Sequence, residues 1–159
     1  MIFFSRKKQS SSLLKSHLFS EKDFYRNFLK DLSKCRKEVI IESPYITSYR
    51  MEQLLSVFQT LLKKGIKMHI ITRDPAEHEV EDYRHQATNE ILFCKEIGIN
   101  IVLLKGLHHR KIAIIDREVL WEGSLNILSY SQSKEVMRRI EGEQSAQEMF
   151  NFLSLNTVI

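Results

Sequence analysis

The 159-residue sequence has few of the residues that cross-link or punctuate a chain: two cysteines, two prolines, five glycines and one tryptophan. Cys35 and Cys94 are too few and too far apart for a disulfide-dense scaffold. A structural zinc site would need more ligands at tighter spacing. Both cysteines fall in amphipathic segments and read as buried thiols in a reducing compartment. No apolar run approaches the length of about 18 residues that a membrane-spanning helix needs. The opening stretch, Met1-Ile2-Phe3-Phe4-Ser5-Arg6-Lys7-Lys8, puts its apolar residues ahead of its charges, and no apolar h-region follows. That order is the reverse of a secretory leader, so a cytoplasmic protein is expected. There is no internal repeat, low-complexity stretch or linker, and a single domain is the expectation at this length.

Hydrophobic residues make up 43% of the chain and charged residues 28%, ordinary values for a globular fold. The net charge is +4. This mild basicity favours polyanionic partners such as nucleic acid or anionic lipid without choosing between them. Residues 1–20 carry Arg6, Lys7, Lys8 and Lys15 around the run Ser10-Ser11-Ser12. They are expected to form a basic N-terminal arm, which is either a solvated tail, an ordinary first helix or a segment that touches nucleic acid. The domain proper is expected over residues 21–159.

From Ser20 onward the pattern is regular. Ser20 and Asp23 offer a helix start, and Phe24, Phe28, Leu29 and Leu32 share one helical face. Glu38 to Pro44 reads as a buried strand stopped by proline. Thr47 or Ser48 can cap a second helix, in which Met51, Leu54, Leu55, Phe58, Leu61 and Leu62 recur at helical spacing before Gly65. Lys67–Thr72 is a second strand. Glu81–Ile97 is a third helix with Ala87, Ile91, Cys94 and Ile97 inward, and Asn100–Leu104 is a third strand. This alternation is the rhythm of a parallel sheet under helical cover. After Gly106 it changes. Residues 109–116 and 119–123 read as an antiparallel pair across a turn at Arg117-Glu118, Glu135–Ile140 as a further strand, and Gln144–Leu153 as a closing helix. The fold class is α/β, a mixed β-sheet flanked by helices.

One stretch carries the chemistry: His109-Arg110-Lys111-Ile112-Ala113-Ile114-Ile115-Asp116, then Gly123-Ser124-Leu125-Asn126. As a strand it would set His109 and Lys111 side by side on the face of Ala113 and Ile115. A lysine neutralises phosphate charge, and an imidazole attacks phosphorus or moves a proton. The spacing His-x-Lys-x4-Asp followed by Gly-Ser-x-Asn resembles the HKD signature of the phospholipase D superfamily, over roughly residues 21–155. One copy is present in the sequence, which resembles the small nuclease branch, where two identical chains share one site. The resemblance implies a phospholipase D-like fold and a phosphohistidine intermediate on His109, with His109 of a second chain as the acid.

Other residues take roles beside that histidine. Lys111 is expected on a non-bridging phosphate oxygen, because burying an unpaired ammonium is costly. Asn126 donates its amide to phosphate and Ser124 orients a neighbour, next to Gly123, where backbones approach closely. The resemblance makes Asp116 a supporting residue that anchors backbone or a basic neighbour. It makes Glu135 the carboxylate that holds the histidine, with Glu141 as a rival. Glu42, at a strand's carboxyl end, is a supporting candidate for the pocket border. His108 faces away as a rim or packing residue. His78 and His85 read as solvated surface. No metal or other cofactor is implied, since lysine and asparagine supply the electrostatic help.

The function expected is metal-independent cleavage of nucleic acid, DNA more than RNA, by a homodimer. A helicase or ATPase is a further possible partner, because Glu42-Ser43-Pro44-Tyr45 and Ile70-Ile71-Thr72-Arg73 resemble nuclease domains associated with helicases. Two alternatives stay open: a phospholipase D-type lipid phosphodiesterase, and a nucleic-acid-binding module that does not cleave.

Overall fold

The computed structural model describes residues 15–159. Its centre is a seven-stranded mixed sheet. In chain order the elements are β1 (Lys15–Ser20), α1 (Phe24–Lys34), β2 (Glu38–Glu42), α2 (Ser48–Lys63), β3 (Lys67–Arg73), α3 (Glu81–Glu96) and β4 (Asn100–Leu104). They continue through β5 (Ile112–Ile115), β6 (Val119–Gly123), β7 (Val136–Glu141), α4 (Glu143–Phe152) and α5 (Leu155–Val158). The strand order is β1-β7-β6-β5-β2-β3-β4. β2, β3 and β4 are parallel to one another, and every other pairing is antiparallel.

The central strands are apolar on both faces because helices cover both. Val39, Ile40 and Ile41 of β2 are all buried, as are Ile112 through Ile115 of β5, the continuous pattern of strands enclosed between layers. On one face α1, α2 and α3 pack over Val39, Ile41, Met68, Ile70, Ala113, Ile115 and Trp121. On the other, Ala146, Phe150, Leu153 and Leu155 from α4, α5 and the turn between them cover Ile40, Ile71, Ile114, Leu120 and Ile140. Phe24 and Phe28 of α1 lie 5.2 and 6.2 Å, edge to face, from Trp121. Burying a ring of this size is worth roughly 2–3 kcal/mol. The Trp121 indole N–H donates to Asp31 at 2.9 Å, and Arg139 grips the same carboxylate at 2.7 and 3.0 Å. A buried carboxylate is thus fully paired.

Several sequence expectations need correction. Residues 15–20 are not part of a loose arm, because β1 adds to the sheet edge through β7, with Lys15 opposite Glu141; residues 1–14 of that arm lie outside the described residues. The hairpin turn is centred on Asp116-Arg117, one residue earlier than expected. Both have positive φ, 54° and 56°, and the Glu118 N–H closes on the Ile115 carbonyl at 3.0 Å. This is the hairpin geometry that suits strand twist. Asp23, not Ser20, holds the N-cap position of α1, with no side-chain cap bond, and its carboxylate accepts from the Ser20 hydroxyl at 3.3 Å. Thr47 holds the N-cap position of α2, yet its hydroxyl accepts the Tyr130 N–H at 3.1 Å instead.

Candidate active site

The motif strand is shorter than its sequence suggested. β5 begins at Ile112, so His109, Arg110 and Lys111 form the last residues of an entering loop. Strand alternation therefore does not place imidazole beside ammonium. The Lys111 ammonium instead bonds the His109 carbonyl, while the exposed His109 ring meets Tyr45 edge-on at 6.5 Å between centroids. Ile112 pairs with Glu42 at the end of β2 and with Glu122 in β6. The loop therefore arrives where the parallel strands β2 and β3 end and β6 runs out at Gly123. Crevices beyond the carboxyl ends of parallel strands are where ligands gather in such sheets.

Glu42 fixes the loop. It is 4% exposed, and Arg110 Nε donates to its Oε1 at 2.7 Å. Its Oε2 is buried without a partner among the described residues. A charge-assisted bond of this kind is short and directional, and it clamps the residue between His109 and Lys111. Arg110 was not anticipated. The signal available was a lone glutamate ending an otherwise apolar strand, which needs a cation.

The Gly-Ser-x-Asn turn is clamped from three sides. Tyr25 donates its hydroxyl to the Asn126 and Ile127 carbonyls at 3.3 and 2.8 Å. Burial raises the Tyr25 phenol above its ordinary value, with Arg50 opposing, so it stays protonated as a donor. Ser43 Oγ accepts the Leu128 N–H at 3.2 Å, and the Thr47 N–H donates to the Leu128 carbonyl at 3.0 Å. Asn126 is held in place while its buried Oδ1 has no partner among the described residues. Gly123 is required by space: a Cβ there would stand 2.2 Å from the Val136 carbonyl oxygen and 2.9 Å from Met137 Cα. Ser124 bonds Glu135, and its Oγ accepts the Val136 N–H at 3.1 Å. Glu135 also accepts from Ser133 at 2.6 Å. Within one chain it makes no hydrogen bond to His109. Glu141, its rival, pairs with Arg139 at the opposite end of β7, level with Val119.

Asp116 sits away from this cluster. Its carboxylate accepts the backbone N–H groups of Arg36, Lys37 and Glu38 at 2.9, 2.7 and 3.0 Å and the Cys35 thiol at 3.2 Å. It ties the α1–β2 loop to the hairpin turn. Burial pushes this carboxyl up, but the amide and thiol donors outweigh it and leave it below its ordinary value. Burial, and then the bond to Asp116, push the Cys35 thiol up to about 12, so it is an inert packed group.

The remaining histidines divide differently from expectation. His108 is half-buried, with Nε2 against the Lys105 carbonyl at 2.9 Å, a packing role. His85 is exposed beside Glu81. His78 is not solvated. It is buried, with its ring stacked on Tyr45 at 5.2 Å and 28°. Burial, with Arg73 and Arg84 nearby, lowers its pKa.

Three concavities adjoin the motif. One, of about 390 Å³, is lined by Arg110, Lys111 and Arg138 against a single acid, Glu122, with Leu18 and Val136 beside them. A second, of about 460 Å³, is lined by Asn126 and Tyr45, and a third, of about 240 Å³, by Leu125, Asn126 and Glu135. Lys111 and Asn126 thus line different recesses. Among the described residues, no group of three or more histidine, cysteine or acidic side chains is arranged to hold a metal ion, and no helix is long and apolar enough to cross a membrane.

A mixed sheet between helical layers, with His-x-Lys entering a strand and Gly-Ser-x-Asn leaving its neighbour, defines a phospholipase D-like domain. The family described as "Cardiolipin synthase, PLD-like domain" matches residues 28–154, and the chain belongs to this phospholipase D-like family. Among solved structures the chain is similar to NucT from Helicobacter pylori, with TM-score 0.71 and 21% identity over 92% of this chain and 98% of that one. It is similar to Nuc from Salmonella typhimurium, a phospholipase D family member, with TM-score 0.70 and 14% identity over 87% and 91%. Phosphatidylserine synthase of Haemophilus influenzae Rd KW20 shares the fold at TM-score 0.67 and 16% identity, over 91% of this chain and 38% of that one. At these identities the likeness is one of fold. No curated protein matches the sequence.

Proposed function

We propose that the protein is a metal-independent phosphodiesterase that cleaves nucleic acid, DNA before RNA, at a site shared by two copies of the chain. An imidazole nitrogen of His109 attacks phosphorus. The bond from phosphorus to the leaving oxygen breaks, and the imidazolium of His109 in the second copy supplies that oxygen's proton. Water then attacks the phosphohistidine. The second imidazole, now neutral, takes the water's proton, the phosphorus–nitrogen bond breaks, and a phosphomonoester leaves. Lys111 holds a non-bridging oxygen, and Asn126 donates its amide as charge develops. Glu135 acts with Ser124 to position the Asn126 turn, and Glu42 through Arg110 positions the loop.

The observation that carries this reading is the exposed His109 ring on a clamped loop in a chain of this family. The basic recess of Arg110, Lys111 and Arg138 beside it favours a polyanion that extends past the scissile phosphate. The test is cleavage of labelled DNA and RNA in EDTA by wild type and His109→Ala, with phosphatidylcholine vesicles as a parallel substrate and light scattering for mass. Expected are DNA cleavage resistant to EDTA, lost in His109→Ala, and a dimeric mass. Cleavage of the vesicles alone would instead make the protein a lipid phosphodiesterase. DNA binding without cleavage at any pH from about 5 to 8 would make it a binding module.

A further inference from the structure

We propose that the 460 Å³ cavity beside His109 is a nucleobase site, and that the substrate is unpaired nucleic acid with one base turned into it. This rests on the phosphodiesterase reading and adds to it the form of substrate taken.

Four of the ten exposed large hydrophobic side chains among the described residues meet at this opening. Leu107 is 85% exposed, Tyr83 54%, Val80 51% and Tyr130 46%, and all four line the one cavity. Its volume falls in the roughly 300–1,000 Å³ range of small-molecule sites. Tyr45, Tyr83 and Tyr130 supply three rings to the walls, and aromatic faces stack on any base. Tyr45 joins cavity to nucleophile directly, with one side stacked on His78 and its ring edge-on to His109. A base held here belongs to a nucleotide next to the attacked phosphate.

Charge selects among ligands. The one arginine in the lining, Arg73, stands 3.6 Å from Glu77, and Glu79 adds a second carboxylate. Away from Asn126 the walls thus disfavour a second phosphate or an anionic headgroup. Carboxylates, with the hydroxyls of Thr47 and Ser129 in the same lining, accept from the amino and imino groups of a base. The phosphate backbone then has the separate basic recess lined by Arg110, Lys111 and Arg138. A base inside a duplex cannot reach the cavity without being unpaired, so single strands are favoured.

The experiment compares three substrates in EDTA: a single-stranded DNA oligonucleotide, the same sequence as blunt duplex, and the same strand with a tract of abasic residues, the first and third repeated with Tyr83→Ala and Tyr130→Ala. Both tyrosines are exposed, so neither change empties the core. Wild type is expected to cleave the single strand at least tenfold better in kcat/KM than the duplex or the abasic tract. Each tyrosine variant is expected to lose about tenfold (~1.4 kcal/mol) on the normal strand and nothing on the abasic one. Equal cleavage of strand, duplex and abasic tract overturns the base site while the phosphodiesterase reading stands. Equal losses by the variants on both strands, with a fall in mass by light scattering, make the rim a face covered by a second copy and also overturn it. Failure of wild type to cleave any nucleic acid overturns both.

Discussion

Replacing Asp116 with alanine removes one carboxylate and strands four donors. Arg36 and Lys37 are exposed, so their amides turn to water at about 0.5 kcal/mol each. The Glu38 amide and Cys35 thiol are partly buried and lose about 1 kcal/mol each. Alanine must also hold φ 54°, which costs about 1 kcal/mol more than it does for aspartate. The loss is about 3–4 kcal/mol, or a fall in Tm of about 8–12 °C for a domain of this size. Asp116→Asn tolerates the turn and should lose about 2 kcal/mol. The pH dependence has a definite sign. The folded pKa lies below its ordinary value, so the stabilisation is whole above about pH 4–5 and drains as pH falls through the folded pKa. The gap between wild type and Asp116→Asn should narrow below about pH 4. Urea unfolding followed by fluorescence of Trp121, the single tryptophan, at neutral and acid pH measures this. DNA cleavage by the folded variants should stay within about threefold of wild type, because the carboxylate touches no reacting group. An unchanged Tm with cleavage lost a hundredfold would refute the assignment and put Asp116 in the chemistry.

Other consequences are as direct. Gly123→Ala drives a methyl into the Val136 carbonyl. It should cost about 1–3 kcal/mol by denaturation and displace the Asn126 turn, lowering kcat. Glu42→Gln removes the charge that clamps Arg110. A roughly ten- to hundredfold fall in kcat with little change in KM is expected from steady-state kinetics. Arg138→Ala should weaken DNA binding by non-cleaving His109→Ala protein evenly across sequences. It should also reduce the salt slope by about 1 in anisotropy titrations.

Much of this fold is legible in the residues. The helical faces of Phe24, Phe28 and Leu32, and of Met51, Leu54, Phe58 and Leu61, are the buried faces observed, because apolar periodicity records the side that packs. β2, β3 and β4 were readable as apolar runs between Gly and Pro signals. β1 was not, since Lys15–Ser20 is a polar edge strand and pairs only through β7. The motif was legible as a spacing and not as a geometry. Alternation predicts a shared face for His109 and Lys111 only if the strand reaches them, and it begins at Ile112. The Glu42–Arg110 clamp, the Asp116 grip on the Arg36–Glu38 amides and the burial of His78 against Tyr45 all join segments more than 30 residues apart. Nothing local in the sequence encodes those pairings.

The central claim is that the His109 imidazole bonds to phosphorus, and trapping tests it most directly. End-labelled DNA mixed with wild type, quenched in alkaline denaturant and resolved by gel and peptide mass spectrometry, should show a DNA–protein adduct on the peptide bearing His109. Its amount should rise when the second step is slowed, and it should be absent in His109→Ala. Cleavage at full rate with no adduct at any quench time, or an adduct that persists in His109→Ala, would contradict it.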